Sequence, residues 1–338
     1  MTTTTVDTAG DAASVASAGD IGIVGIGNMG LAMALRLLDC GHTVRVRDID
    51  PAREALAGAA GAAVAASAAA AATGAACVIV VVVDGAQTRE VLFGRDDGIA
   101  AMLAPGAAVM LCPTIAPEDT EDCARRLAGR GIDCIDAPMS GGPARARDGS
   151  MSLMVACADA VFARHAAMLA NLSSRIFRVG TRPGDGARTK LVNNLLAAVN
   201  LAGAAEALSL AARLGLDAAR TLEVIEQSSG QSWIGSDRLR RALAGDRAPR
   251  AHMRLLAKDS ALALRMADSG MADSGARSTT SGGPAGDRAG DPAGDPTHAL
   301  ATGRAAAALF ARACARGLAD ADDSALYGWL RGAEGPSS

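Results

Sequence analysis

Lysine is almost missing from this chain. Among 33 basic residues only Lys190 and Lys258 are lysine, and the rest are arginine. A guanidinium stays protonated, so a side-chain amine able to lose its proton near neutral pH occurs at two places only. Aromatic residues are scarce, 2% of 338 residues, so a core has to be built from Ala, Val, Leu, Ile and Met. The single tyrosine, Tyr327, is followed four residues on by Arg331. That excludes the Tyr-x-x-x-Lys pair on which short-chain dehydrogenases depend. Seven cysteines are present, an odd number with no CxxC and no clustering. They exclude a disulfide framework and a zinc site, and read as small buried hydrophobes in a reducing compartment. Net charge is −3 with the basic residues scattered, which leaves no electrostatic footprint for nucleic acid. The first 19 residues lack the basic and apolar regions of a signal peptide and read as a disordered tail. The valine-rich run 78–83 is too short to span a bilayer. A cytoplasmic protein with no membrane and no nucleic-acid partner is expected.

What is present is half hydrophobic and long enough for two domains. Residues 21–26 form a short apolar strand that leads into Gly25-Ile26-Gly27-Asn28-Met29-Gly30 and then a helical pattern closed by Gly41. Strand, GxGxxG and helix together are the dinucleotide fingerprint. The first glycine makes the tight turn, the second lets backbone approach a pyrophosphate, and the third lets helix and strand pack closely. The next strand ends at Asp48, where an acid can bond both ribose hydroxyls and would repel a 2′-phosphate. NAD is therefore expected over NADP, although Arg45, Arg47 and Arg53 lie close in sequence. Residues 55–76 are nearly all Ala, Gly and Val and read as helix and loop. Buried parallel strands follow at 77–83 and 107–112. Val83 and Thr114 fall at their carboxyl ends, where a cofactor would lie. Residues 140–142, Ser-Gly-Gly after another strand, expose successive N–H groups and a hydroxyl, a nest suited to a carboxylate.

The stretch 184–216 opens with glycines and runs apolar and alanine-rich with no proline, so it reads as one long helix. Lys190 and Asn194 are four apart and share a face. Shorter helices follow at 217–227, 234–244 and 252–267, with Trp233 read as a packing anchor. Residues 268–297 are dominated by Gly, Asp, Ser and Pro and read as a disordered insertion. Helices resume at 298–317 and 322–330. The expected architecture is a tail (1–19), a doubly wound parallel α/β sheet (20–183), and an all-helical domain (184–332) that opens with the long helix.

These motifs in this order resemble the β-hydroxyacid dehydrogenase family, of the 3-hydroxyisobutyrate dehydrogenase type. They are GIGNMG at 25–30, PTIAP at 113–117, DAPMSGG at 136–142, GDGARTKLVNN at 184–194 and KD at 258–259. The stretches 81–94 and 228–233 look most like the L-threonate dehydrogenase branch. Pro113, Met139 and Met253 depart from the residues usual in the family. The resemblance implies Lys190 as catalytic lysine, with Asn194 orienting the substrate. It implies Ser140, Gly141 and Gly142 on the substrate carboxylate, and Thr114 and Lys258 on the nicotinamide half of NAD. The expected reaction is reversible, NAD-linked oxidation of a three- or four-carbon hydroxy acid, with no metal. A reductase of the tartronate-semialdehyde type and a non-catalytic cofactor-binding protein are the alternatives. Too few helices follow to cover the long one on every side, so a homodimer or homotetramer is expected.

Overall fold

A computed structural model describes residues 20–278 and 300–332. The expected tail, and residues 279–297 of the expected insertion, lie outside them. The first part of the chain alternates strand and helix. The elements are β1 (Ile21–Val24), α1 (Asn28–Asp39), β2 (Val44–Arg47), α2 (Pro51–Ala59), β3 (Ala63–Val64), α3 (Ala68–Ala72), β4 (Cys77–Val80), α4 (Gly85–Phe93), β5 (Ala108–Leu111), α5 (Pro117–Ala128), β6 (Asp133–Asp136), β7 (Met139–Ser140), α6 (Gly142–Asp148), β8 (Ser152–Ala156), α7 (Asp159–Leu172) and β9 (Arg175–Gly180). The strand order is β3-β2-β1-β4-β5-β6-β8-β7, with β9 on β8. Strands β1 to β6 pair in parallel. The sheet is not parallel throughout, however. Strand β8 meets β6 and β7 antiparallel; only Ala137 and Pro138 separate β6 from β7, too few for a crossover, so both run in one direction along β8. Strand β3 is a further departure, lying inside the stretch read as helix and loop.

Alternation along the strands divides the core. Ile21, Ile23, Ile79 and Met110 pack with α1 and α7 on one face. Val24, Val80, Val109 and Leu111 pack with Leu92, Cys123 and Leu127 on the other. Both faces are covered, which is why these strands are continuously apolar.

Helix α8 (Asp185–Arg213) leaves the sheet domain and opens the helical one. Around it stand α9 (Ala218–Glu226), α10 (Trp233–Leu243), α11 (Met253–Ser278), α12 (Ala301–Ala313) and α13 (Ala325–Leu330), with one π turn at Cys314–Leu318. Leu201, Leu208, Leu239, Met253, Leu309 and Phe310 form its core. Helix α11 continues to Ser278, through the start of the stretch assigned to a loop. Ala, Met and Arg are good helix formers, and an isolated Gly costs only about 1 kcal/mol. A buried ionic cluster ties α10 to the chain before α13. Arg241 pairs with Asp322 (3.2 Å), and Arg238 with Asp323 (2.5 Å).

Candidate active site

The carboxyl ends of β1, β4 and β5 face α8, α10 and α11 across a cleft of about 680 Å³. Its floor begins at the glycine turn. Gly25 has φ +88°, and a Cβ there would lie 2.3 Å from Val81 O. A Cβ on Gly30 would lie 2.0 Å from Gly25 O. A Cβ on Gly27 would meet nothing within 4 Å. Thus Gly25 and Gly30 are required for packing, whereas Gly27 keeps the cleft open at the N-terminus of α1. An approaching phosphate meets backbone N–H groups and the positive end of that helix there, so the loop fits the pyrophosphate of a dinucleotide.

Gly27, Asn28, Met29 and Gly30 line the cleft. Gly25, Ile26 and Asp48 stand behind it. The Ile26 side chain is fully buried, and its N–H donates to Asp48 Oδ2 at 2.6 Å. Asp48 Oδ1 accepts from Asp50 N–H at 2.9 Å, so the carboxylate is fixed at the end of β2. Two nearby arginines are already engaged, Arg45 with Asp20 (3.5 Å) and Arg47 with Glu54 (2.9 Å). Arg53 instead lines the cleft and donates to Asn28 Oδ1 at 3.0 Å.

Deeper in the cleft, Lys258 Nζ donates to Val83 O (3.1 Å) and Thr114 O (2.5 Å). The helical domain is thereby clamped onto the ends of β4 and β5. Lys258 also faces Asp259 Oδ1 at 3.1 Å. Asp259 is buried, and its Oδ2 accepts from Asn194 Nδ2 at 2.7 Å. A carboxylate only accepts, so this contact fixes which way round the Asn194 amide stands. Asn194 Oδ1 accepts from Asn193 Nδ2 at 3.1 Å. Lys190 lies one turn before Asn194 on the same face of α8, 8% exposed. Burial pushes its amine down to about 8; Asp259 opposes that shift and Lys258 adds to it. Such a group is part neutral and part protonated near physiological pH.

Opposite stands the glycine loop after β7. Gly141 (φ +128°) and Gly142 (φ +75°) are left-handed in succession. A Cβ on Gly141 would come within 2.8 Å of Arg145, whereas the space at Gly142 is open. Ser140, Gly141 and Gly142 all line the cleft. The structure thus brings Lys190, Asn194, Ser140, Gly141, Gly142, Val83, Thr114 and Lys258 into one cleft with the α1 N-terminus.

Trp233 corrects the expectation of a packing anchor. It is 46% exposed at the start of α10, lines the cleft, and stacks under the Arg145 guanidinium at 5.0 Å. Asn193, Asp259 and Asp136 were not singled out from sequence. Asp136 is 2% exposed, with burial raising its carboxyl to about 6 against three backbone N–H donors. Its place at the head of the DAPMSGG motif was the signal that could have found it.

This arrangement, a dinucleotide turn facing a buried amine and a carboxylate nest, has matching relatives. Residues 20–180 match the NAD binding domain of 6-phosphogluconate dehydrogenase. Residues 184–277 match the family described as NAD-binding of NADP-dependent 3-hydroxyisobutyrate dehydrogenase. L-threonate dehydrogenase of Escherichia coli O6:H1 is 35% identical over 240 residues, 71% of this chain and 79% of that protein. 3-Hydroxyisobutyrate dehydrogenase of Pseudomonas aeruginosa is 37% identical over 211 residues, 62% of this chain and 70% of that protein. The crystal structure of 3-hydroxyisobutyrate dehydrogenase from Salmonella typhimurium superposes with a TM-score of 0.79 at 32% identity, covering 92% of this chain and 99% of that one. The chain belongs to the 3-hydroxyisobutyrate dehydrogenase-like β-hydroxyacid dehydrogenase family. It is an NAD(P)-dependent oxidoreductase acting on CH–OH groups.

Proposed function

We propose that this enzyme oxidises the hydroxyl carbon of a three- or four-carbon β-hydroxy acid, such as L-threonate or 3-hydroxyisobutyrate, with NAD and with Lys190 as general base. The observation that carries this reading is the buried Lys190 amine, held near 8 at the floor of the cleft. NAD, when bound, supplies the acceptor for the hydride that leaves the substrate carbon. The remaining work falls to the chain. Ser140 and the N–H groups of Gly141 and Gly142 receive the substrate carboxylate. Asn194, oriented by Asp259, holds the hydroxyl oxygen. Neutral Lys190 takes the hydroxyl proton as the carbonyl forms, and in reverse the ammonium returns it.

Gly27 to Gly30 would hold the pyrophosphate, and Val83, Thr114 and Lys258 would flank the nicotinamide half. The charge on Asp48, with Arg45 and Arg47 already paired, favours NAD over NADP. Val192, Leu196 and Leu210 along α8, and Leu214 at its C-cap, are each more than half exposed. A second copy would cover them, so a homodimer or homotetramer is the expected assembly. Sedimentation at micromolar concentration checks this, and a monomer would refute it.

The test of the activity is formation of reduced cofactor by purified protein with L-threonate, 3-hydroxyisobutyrate and D-glycerate, using NAD⁺ and NADP⁺ in parallel. Turnover with one acid, faster with NAD⁺ and absent in Lys190→Ala, is the expected result. Tight NAD⁺ binding without turnover of any such acid would overturn the substrate assignment.

A further inference from the structure

Asp136 closes β6 with its side chain inside the protein. Among the described residues no lysine or arginine pairs with it. Its Oδ2 accepts instead from Gly184 N–H (2.7 Å) and Ala187 N–H (3.1 Å), and Gly186 N–H is a third donor. These are free N–H groups of the first turn of α8. Gly184 at the N-cap has no side-chain oxygen to offer, so the helix takes its cap from a strand 48 residues earlier. The fit is close. A Cβ on Gly186 would lie 2.8 Å from the Asp136 carboxyl carbon, so that carboxylate fills the place of the missing side chain. Gly186 and Lys190 are four apart and lie on the same face, about 6 Å along the axis. The other tie on this turn, Arg188 to Glu121, is 44% exposed on both sides and contributes little.

We propose that Asp136 is a positioning residue for the reaction: by capping α8 from β6 it sets the rotation and height of the first turn, and so places the Lys190 amine in the cleft. The inference rests on Lys190 being the base. The charged groups facing that amine are Asp259 and Lys258 of α11, neither of which the variants below alter. Two independent perturbations bear on the contact. Asp136→Ala removes the cap, and Gly186→Ala keeps every donor and acceptor but pushes the carboxylate and the helix turn apart. Asp136→Asn keeps an acceptor oxygen.

The experiment measures kcat as a function of pH, KM for the acid, NAD⁺ affinity by calorimetry, and Tm, for each variant and for Lys190→Ala. In Asp136→Ala and Gly186→Ala, kcat is expected to fall about tenfold or more, with NAD⁺ affinity unchanged. The ascending limb of the oxidation pH profile, which follows the neutral amine, is expected to move up from about 8, as water reaches the amine. Asp136→Asn should recover most of the kcat lost in Asp136→Ala. If Asp136→Ala does not fold, the other two variants carry the test. A lowered Tm with kcat and the pH limb unmoved in the folded variants would overturn the proposal and leave Asp136 a structural cap. Turnover surviving in Lys190→Ala would instead overturn the assignment of the base, and this inference with it.

Discussion

Replacing Lys190 separates its chemical role from its packing. A lysine at its ordinary 10.5 is neutral in about 0.03% of molecules at pH 7, whereas one near 8 is neutral in about 9%. Burial thus raises the supply of competent base about 300-fold. Between about pH 7 and pH 9 that fraction rises about tenfold, so kcat/KM for alcohol oxidation should climb by that factor. Reduction of the keto acid needs the ammonium and should fall over the same window. Lys190→Met and Lys190→Arg should each lose about 10²- to 10⁴-fold in kcat while NAD⁺ still binds. Stability should move the other way. The folded-state value lies below the unfolded one, so the stability this residue contributes is present above about 10.5 and lost as pH falls through about 8. At neutral pH the buried amine therefore costs up to about 3 kcal/mol. Lys190→Met should raise the urea midpoint at pH 7 even as it abolishes turnover. An oxidation rate flat from pH 6 to 9, or a methionine variant both active and no more stable, would refute the reasoning.

The glycine turn should show two kinds of failure: Gly27→Ala leaves Tm unchanged and weakens NAD⁺ binding about tenfold, whereas Gly30→Ala, whose methyl meets Gly25 O, lowers Tm by several degrees as well. Calorimetry and thermal melts of the two variants check this. Asp48→Asn should raise KM for NAD⁺ and narrow the preference over NADP⁺, read from kcat/KM with each cofactor, because the charge that repels a 2′-phosphate is gone. Burial lowers the imidazoles of His42 and His165 from 6.5. Their contribution to stability is therefore present above about 6.5 and lost as pH falls below it. The urea midpoint of His165→Phe should fall less between pH 7 and pH 5 than that of the unaltered protein.

Local order made much of this protein legible from its residues alone. The GIGNMG turn sits between a strand and a helix because Gly25 takes a positive φ, Gly30 has no room for a Cβ beside Gly25 O, and Gly27 leaves the helix N-terminus open. Continuous apolar runs marked the buried strands, and an unbroken alanine-rich segment marked α8. The scarcity of lysine pointed to Lys190 before any fold was known. Contacts between distant segments were decided only by the tertiary structure. The antiparallel turn of β8, the exposure of Trp233 on the cleft wall and the clamp of Lys258 on Val83 O and Thr114 O leave no local pattern. Asp259 and Asp136 are the clearest cases. Each falls within a sequence motif, KD at 258–259 and DAPMSGG at 136–142, but only folding sets one against Asn194 and the other under the first turn of α8. The depression of the Lys190 amine belongs with them, because desolvation is a property of everything packed around a group and not of the residues beside it in the chain.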